Sequence, residues 1–261
     1  MTLTFINCFQ SEWLKRRRSL ASWLVLVGAF FTPTIILASR IKNHAAMPRL
    51  YASEDFWRKL WSQSWESMEV FLLPIGIILA TGLVAQIEYK NNTWKQLHTT
   101  PQGFSTIFAA KLLVVLLMLV EVFVLFNVGV YLSAVIPSML FGGIPYPTAP
   151  IPFADFWNTN VNFFVDCLPI VGLQYMFSLQ FKNFLVPVGA GFAIWFLGVG
   201  LLSWEYSYLF PYNHGAINFL TATGHFASRQ LPMSVEYLAL IYSAAFVVAG
   251  WILYVTKKEK G

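Results

Sequence analysis

Apolar residues in this chain come in long blocks separated by short polar connections. The blocks are Leu20 to Ala38, Val70 to Gln86, Leu112 to about Ile136, Val161 to Leu179, Leu185 to Ser203 and Val235 to Tyr254. A helix needs about 20 apolar residues, at about 1.5 Å each, to cross the hydrocarbon core of a bilayer. Each block meets or nearly meets that length. Backbone amides in lipid must find partners within their own segment, so the blocks are predicted to be helices. Pro74 and Pro169 fall near block ends or at kinks that neighbouring helices can satisfy. The pattern predicts an all-α integral membrane protein of six transmembrane helices, forming one domain over residues 1–261.

The segment before the first block, residues 1–19, is too polar to span. Its stretch LTFINCFQSEWLKRRRS places Leu3, Ile6, Phe9, Trp13 and Leu14 at helical spacing, with Glu12 and a basic run beside them. This predicts an amphipathic entry helix in the inner interface, Trp at headgroup level and the basic side chains on anionic lipid. A cleaved signal peptide fits less well. The first apolar block is longer than a signal h-region, and its basic cluster comes only after fourteen residues.

Composition supports the membrane assignment. Charged residues make up 11% of the 261, against about a quarter in soluble domains. Hydrophobic residues make up 57%, and the mean hydropathy is +0.60. The net charge of +5 does not describe a nucleic-acid surface, because the basic residues gather at the ends of apolar blocks. With the N-terminus inside, Lys15 to Arg18, Lys90, Lys95, Lys111, Lys182 and Lys257 to Lys260 all face the cytoplasm. The outer connections then carry fewer basic residues, so both termini are predicted to be cytoplasmic. In that orientation the Asn91-Asn92-Thr93 sequon faces inward and is read as chance.

No catalytic constellation is present. The chain lacks a GxxxxGK[ST] loop, GxGxxG, GxSxG and HExxH. His44, His98, His214 and His225 are scattered and read as solvated loop histidines without a ligand set, so no metal is expected. Cys8 and Cys167 read as free thiols.

Two acids interrupt the apolar blocks. Glu121 lies ten residues past Lys111, which places it about 15 Å deep if Lys111 marks the inner boundary. Asp166 lies some five residues into the fourth block, about 8 Å from the outer boundary. Asn127 and Tyr131 share a block with Glu121, and Gln174 and Tyr175 share one with Asp166. Two readings stand: a buried hydrogen-bond network gluing helices together, or a substrate path or proton site. Small residues at helical spacing, Gly129 with Ser133 and Gly189 to Ala193, suit close helix approach within this chain or across a dimer seam. The aromatic connection from Trp204 to Pro232 suits the outer headgroup layer.

The connection IEYKNNTWKQLHTTPQGF, residues 87 to 104, is polar between two of the greasiest blocks. Tyr89, Thr93 and Leu97 fall on one helical stripe with Trp94 alongside, and Pro101 stops the helix before Gly103. Together with SEWLKRRRS and the six-block pattern, Glu88, Asn92-Thr93-Trp94-Lys95, Leu97, Pro101 and Lys111 resemble ABC-2 type permeases. The chain is similar in particular to the small permeases of lantibiotic and bacteriocin self-protection transporters. Family members often carry a glycine before the Thr and a small-plus-basic pair after the Pro. Here Asn92 and Gln102-Gly103 stand at those positions.

The resemblance implies a non-catalytic membrane subunit whose connection between spans two and three is a coupling helix. Glu88, Asn92, Thr93, Trp94, Lys95, Leu97 and Pro101, with Glu12 and Lys15 of the entry helix, would contact a separate ATPase. ATP and Mg would sit on that partner, with no cofactor on this chain. Two ATPases and a second permease, identical or paralogous, complete the implied assembly in a bacterial cytoplasmic membrane. An amphipathic or lipid-like cargo such as an antimicrobial peptide is the implied substrate. Two other classes remain open at this point: a stand-alone proton-coupled transporter using Glu121 and Asp166, and a membrane assembly subunit that transports nothing.

Overall fold

The computed structural model of the chain describes residues 2–17, 19–90, 103–224 and 233–256. They form helices, with no strand among the described residues: α1 (Thr2–Arg17), α2 (Leu20–Lys42), α3 (Met47–Tyr51), α4 (Phe56–Ser67), a π-helical segment (Met68–Leu72), α5 (Leu73–Lys90), α6 (Phe104–Leu140), α7 (Phe153–Gln180), α8 (Leu185–Gly200), α9 (His214–Ala222) and α10 (Val235–Thr256).

The helices extend well past the apolar blocks. The second span begins at Phe56 rather than Val70, because polar Arg58, Lys59 and Glu66 continue the helix into which the block runs. The third is the 37-residue α6, beginning at Phe104 rather than Leu112, and the fourth begins at Phe153 rather than Val161. Hydropathy stops where side chains turn polar, whereas a helix stops where its backbone does. Among the described residues, five helices are long and apolar enough to cross a membrane. The block at Leu185 forms a helix of only 16 residues, about 24 Å, which is shorter than the roughly 30 Å core.

Contacts fix the helix directions. Gly129 of α6 lies against Phe30 and Pro33 of α2, and the Ser133 carbonyl accepts from Arg40, so α2 and α6 run parallel. A Cβ at Gly129 would stand 3.0 Å from Pro33, so glycine is what permits this approach. Gly172 meets Ser243, Phe246 and Val247, and Gly250 meets Met176, so α7 and α10 are parallel too. Helix α8 runs antiparallel to α5: Phe184 and Val188 lie at Gly82, Gly191 at Ile78, and the Trp195 indole donates to the Val70 carbonyl.

Lipid gives helices little hydrophobic reason to associate, so specific packing must hold the bundle. Its centre is aromatic. Trp65 is fully buried among Trp61, Phe123, Phe126 and Phe163, with ring centroids 4.8 to 5.6 Å apart. Such pairs contribute about 0.5–1.5 kcal/mol each beyond the area they bury. Toward the C-terminal end of α6 the Tyr51 hydroxyl donates to the Ala134 carbonyl at 2.7 Å, which ties α3 to α6.

Candidate functional site: a charged brace and a buried acid cluster

Helix α1 begins the site. Its buried stripe is Cys8, Glu12 and Arg16, one residue per turn, while apolar Ile6 and Leu14 are exposed. The predicted amphipathic helix is therefore turned around, with two charged side chains facing protein. The reason is on the opposing helix. The Lys111 ammonium, fully buried on α6, donates to Glu12 Oε2 at 2.6 Å, and Lys15 donates to Glu12 Oε1 at 2.6 Å. One turn on, the Arg16 guanidinium grips Glu121 with both terminal nitrogens, Nη1 at 3.0 Å from Oε1 and Nη2 on Oε2. This forked geometry is the strong form of an arginine–carboxylate pair. Cys8 completes the contact by packing on Ile107 and Ala110.

Burial alone would raise the Glu12 carboxyl, but Lys111 and Lys15 together hold it below its ordinary value. Glu12 is thus an anion between two cations. The Ser19 side chain accepts from the Ala21 amide and caps α2, so the turn from α1 into the first span is fixed as well.

The same contacts revise the depth of Glu121. Gly129 is level with Phe30 and Pro33, and Glu121 lies eight residues, about 12 Å, closer to the start of α6. That puts Glu121 beside the first turns of α2, not near the midplane. It is also a paired acid, and its cation comes from α1 rather than from a span.

Glu121, Asp166, Asn127 and Gln174 do not form one network. The Asn127 amide donates to Asn160 at 2.7 Å, linking α6 to α7. Gln174 donates to the Pro187 carbonyl at 2.6 Å and accepts from the Tyr212 hydroxyl at 3.2 Å. The Tyr175 hydroxyl donates to the Phe108 carbonyl at 2.8 Å. Each polar residue joins its own pair of elements, as helix glue does.

Asp166 belongs to a second cluster. It lies thirteen residues into α7, about 20 Å from the start of that helix rather than close to an end. One Asn218 amide nitrogen on α9 donates to Asp166 Oδ2 at 2.6 Å and to Glu236 Oε1 of α10 at 3.1 Å. Glu69, on the π-helical segment, is buried against Gly215 of α9. His214, read from the sequence as a solvated loop histidine, is fully buried, with one ring nitrogen 2.9 Å from the Tyr208 carbonyl. Burial pushes its pKa down to about 4. Glu69, Asn218 and Glu236 went unrecognised in the sequence because each stands at or beyond the edge of an apolar block. Glu69 immediately precedes the run that starts at Val70.

Glu88 lies near the end of α5, and Asn92, Thr93, Trp94, Lys95, Leu97 and Pro101 lie outside the described residues. What flanks them is described. The C-terminal parts of α5, α7 and α10 and the start of α6 meet in a cluster of Ala85, Phe108, Tyr175, Leu179 and Tyr254. Glu12 and Lys15 sit on the same end of α6, through Lys111. Cys8 and Cys167 are both buried, and the two are not joined in a disulfide. Among the described residues no group of His, Cys, Asp and Glu could hold a metal.

Residues 8–200 match the sequence model of the ABC-2 family transporter proteins. No curated protein matches the chain.

Proposed function

The chain belongs to the ABC-2 family of transporter proteins, and from that premise we propose that it is the membrane permease of an ATP-driven exporter whose ATPase is a separate subunit. The observation that carries this reading is the brace. The entry helix is fastened to α6 by two ion pairs, and that same end of α6 follows directly on residues 91–102. A force delivered to α1 or to that connection therefore reaches one rigid span.

In this reading the connection is the coupling helix, and Glu88, Asn92, Thr93, Trp94, Lys95, Leu97 and Pro101 meet the ATPase together with α1. Glu12 and Lys15 serve by keeping α1 on α6. ATP and Mg are held by two copies of the partner, and a second permease, identical or paralogous, completes the path. The chain then makes six crossings with both termini in the cytoplasm. The parallel course of α7 and α10 supports this, since the chain must return across the bilayer between them. The short α8 and the aromatic residues after it supply that return. The aromatic outer connection and the few charges within the spans favour an amphipathic or lipid-like cargo, such as an antimicrobial peptide.

The proton-coupled alternative needs Glu121 and Asp166 to act together. Glu121 is engaged by Arg16 and belongs to a different cluster from Asp166, which weighs against it. Purification in mild detergent followed by mass spectrometry tests the proposal. A stoichiometric ATPase among the co-purifying proteins is the expected result. Transport by the purified chain alone would overturn it.

A further inference from the structure

The acid cluster has no part in the brace. Three carboxyl groups, Glu69, Asp166 and Glu236, converge from three spans onto α9, and no cation pairs with them among the described residues. Glu69 and Asp166 are 3% and 1% exposed, and Glu69 Oε2 and Asp166 Oδ1 have no hydrogen-bond partner. A buried acceptor left in this condition is rare in folded proteins, and a bound species is one explanation. Space decides which species. A Cβ at Gly215 would fall 1.9 Å from Glu69 Oε1, so the carboxyl already fills the gap left by the glycine. No metal-holding group exists there among the described residues, and an ammonium would need room for three donors. A proton needs no room.

We propose that Glu69 and Asp166 form a proton-binding site, closed by α9 against the π-helical segment of the second span. The π-helical segment supports the assignment, because an inserted π turn re-aims side chains and occurs often at functional sites. The titratable groups around the pair are Cys167 beside Asp166 on α7, Glu236 of α10, which shares Asn218 with Asp166, and His214 next to Gly215 on α9, with Tyr242 of α10 against the His214 ring. While α9 is seated the two carboxyls are shut away from water and hold their protons. If α9 withdraws, water enters, the acids ionise, and their charges repel its return. Opening this end of the bundle thereby releases protons, whether or not an ATPase drives it.

The test is thermal unfolding of the full-length chain in detergent between about pH 6.5 and pH 9. His214, with its pKa near 4, is neutral throughout that window. A folded state that keeps protons the unfolded chain has lost becomes less stable as pH rises. The wild type is therefore expected to lose melting temperature across the window. Glu69→Gln/Asp166→Asn, which imitates the protonated pair, is expected to flatten that slope. An equal slope in both proteins would overturn the proposal. Infrared spectroscopy of the wild type at neutral pH gives a second reading that does not depend on the variant folding. A carboxylic-acid carbonyl band that shifts in heavy water supports the site, and absence of such a band sinks it.

Discussion

Lys111 Nζ stands 2.6 Å from Glu12 Oε2, although 99 residues separate the two in sequence. Both side chains are buried, so removing Lys111 leaves the Glu12 anion with only the partly exposed Lys15 beside it. Lys111→Met is expected to destabilise the fold by at most about 3–5 kcal/mol, the usual cost of breaking a buried pair from one side, because Lys15 still faces the carboxylate. Glu12→Gln/Lys111→Met should recover much of that loss, because no charge is then stranded. Melting curves of the two variants check this, and equal loss in both would show that packing rather than charge holds α1.

The pH dependence of the brace follows from Glu12. Its pKa is lowered in the folded state, so its contribution is complete above the unfolded value of about 4.3 and is lost as pH falls through the lower folded value. The stability gap between wild type and Glu12→Gln should therefore be constant near neutrality and close in acid. Unfolding measured at about pH 7 and pH 3 reads it directly.

Trp94→Ala or Leu97→Asp is expected to abolish ATPase association or coupled transport while membrane insertion persists. Affinity capture of the permease, followed by quantification of the bound ATPase and of substrate export, is the measurement. Undiminished capture and transport in both variants would remove the connection from the coupling scheme.

Gly215→Ala is expected to cost about 1–3 kcal/mol, the range for overpacking. The new methyl would fall on three atoms of the Glu69 side chain at once. Glu69→Ala/Gly215→Ala vacates that space and should melt above the single glycine variant. Additive losses would show that Glu69 and α9 do not meet.

The membrane class, the helical content and the general positions of the spans are legible in apolar block length, since lipid forces each block to satisfy its own backbone. The ends are less legible. Phe56 and Phe104 start their helices many residues before the greasy stretch begins, and no hydropathy pattern marks a helix that continues through polar residues. Long-range pairing is illegible for a different reason. Arg16 reads as part of a basic run on lipid, and only the packing of α1 on α6 converts it into the partner of Glu121. His214 likewise reads as a loop residue until α9 packs against the π-helical segment. The family resemblance singles out Glu12 and Lys15 of the entry helix as ATPase contacts, whereas the structure shows them in one anion–cation cluster with Lys111.

The length of α6 has a mechanical side. At 37 residues it measures about 55 Å, nearly twice the hydrocarbon thickness. It approaches α2 closely at Gly129 against Pro33. From there the arm back to Phe104 is about 37 Å long, and the arm on to Leu140 is about 16 Å. Were the helix to rock about that contact, the Phe104 tip would move more than twice as far as the Leu140 tip. Helix α6 is a lever with unequal arms: a broad stroke at the end next to residues 91–102 would become a short, forceful one at the other.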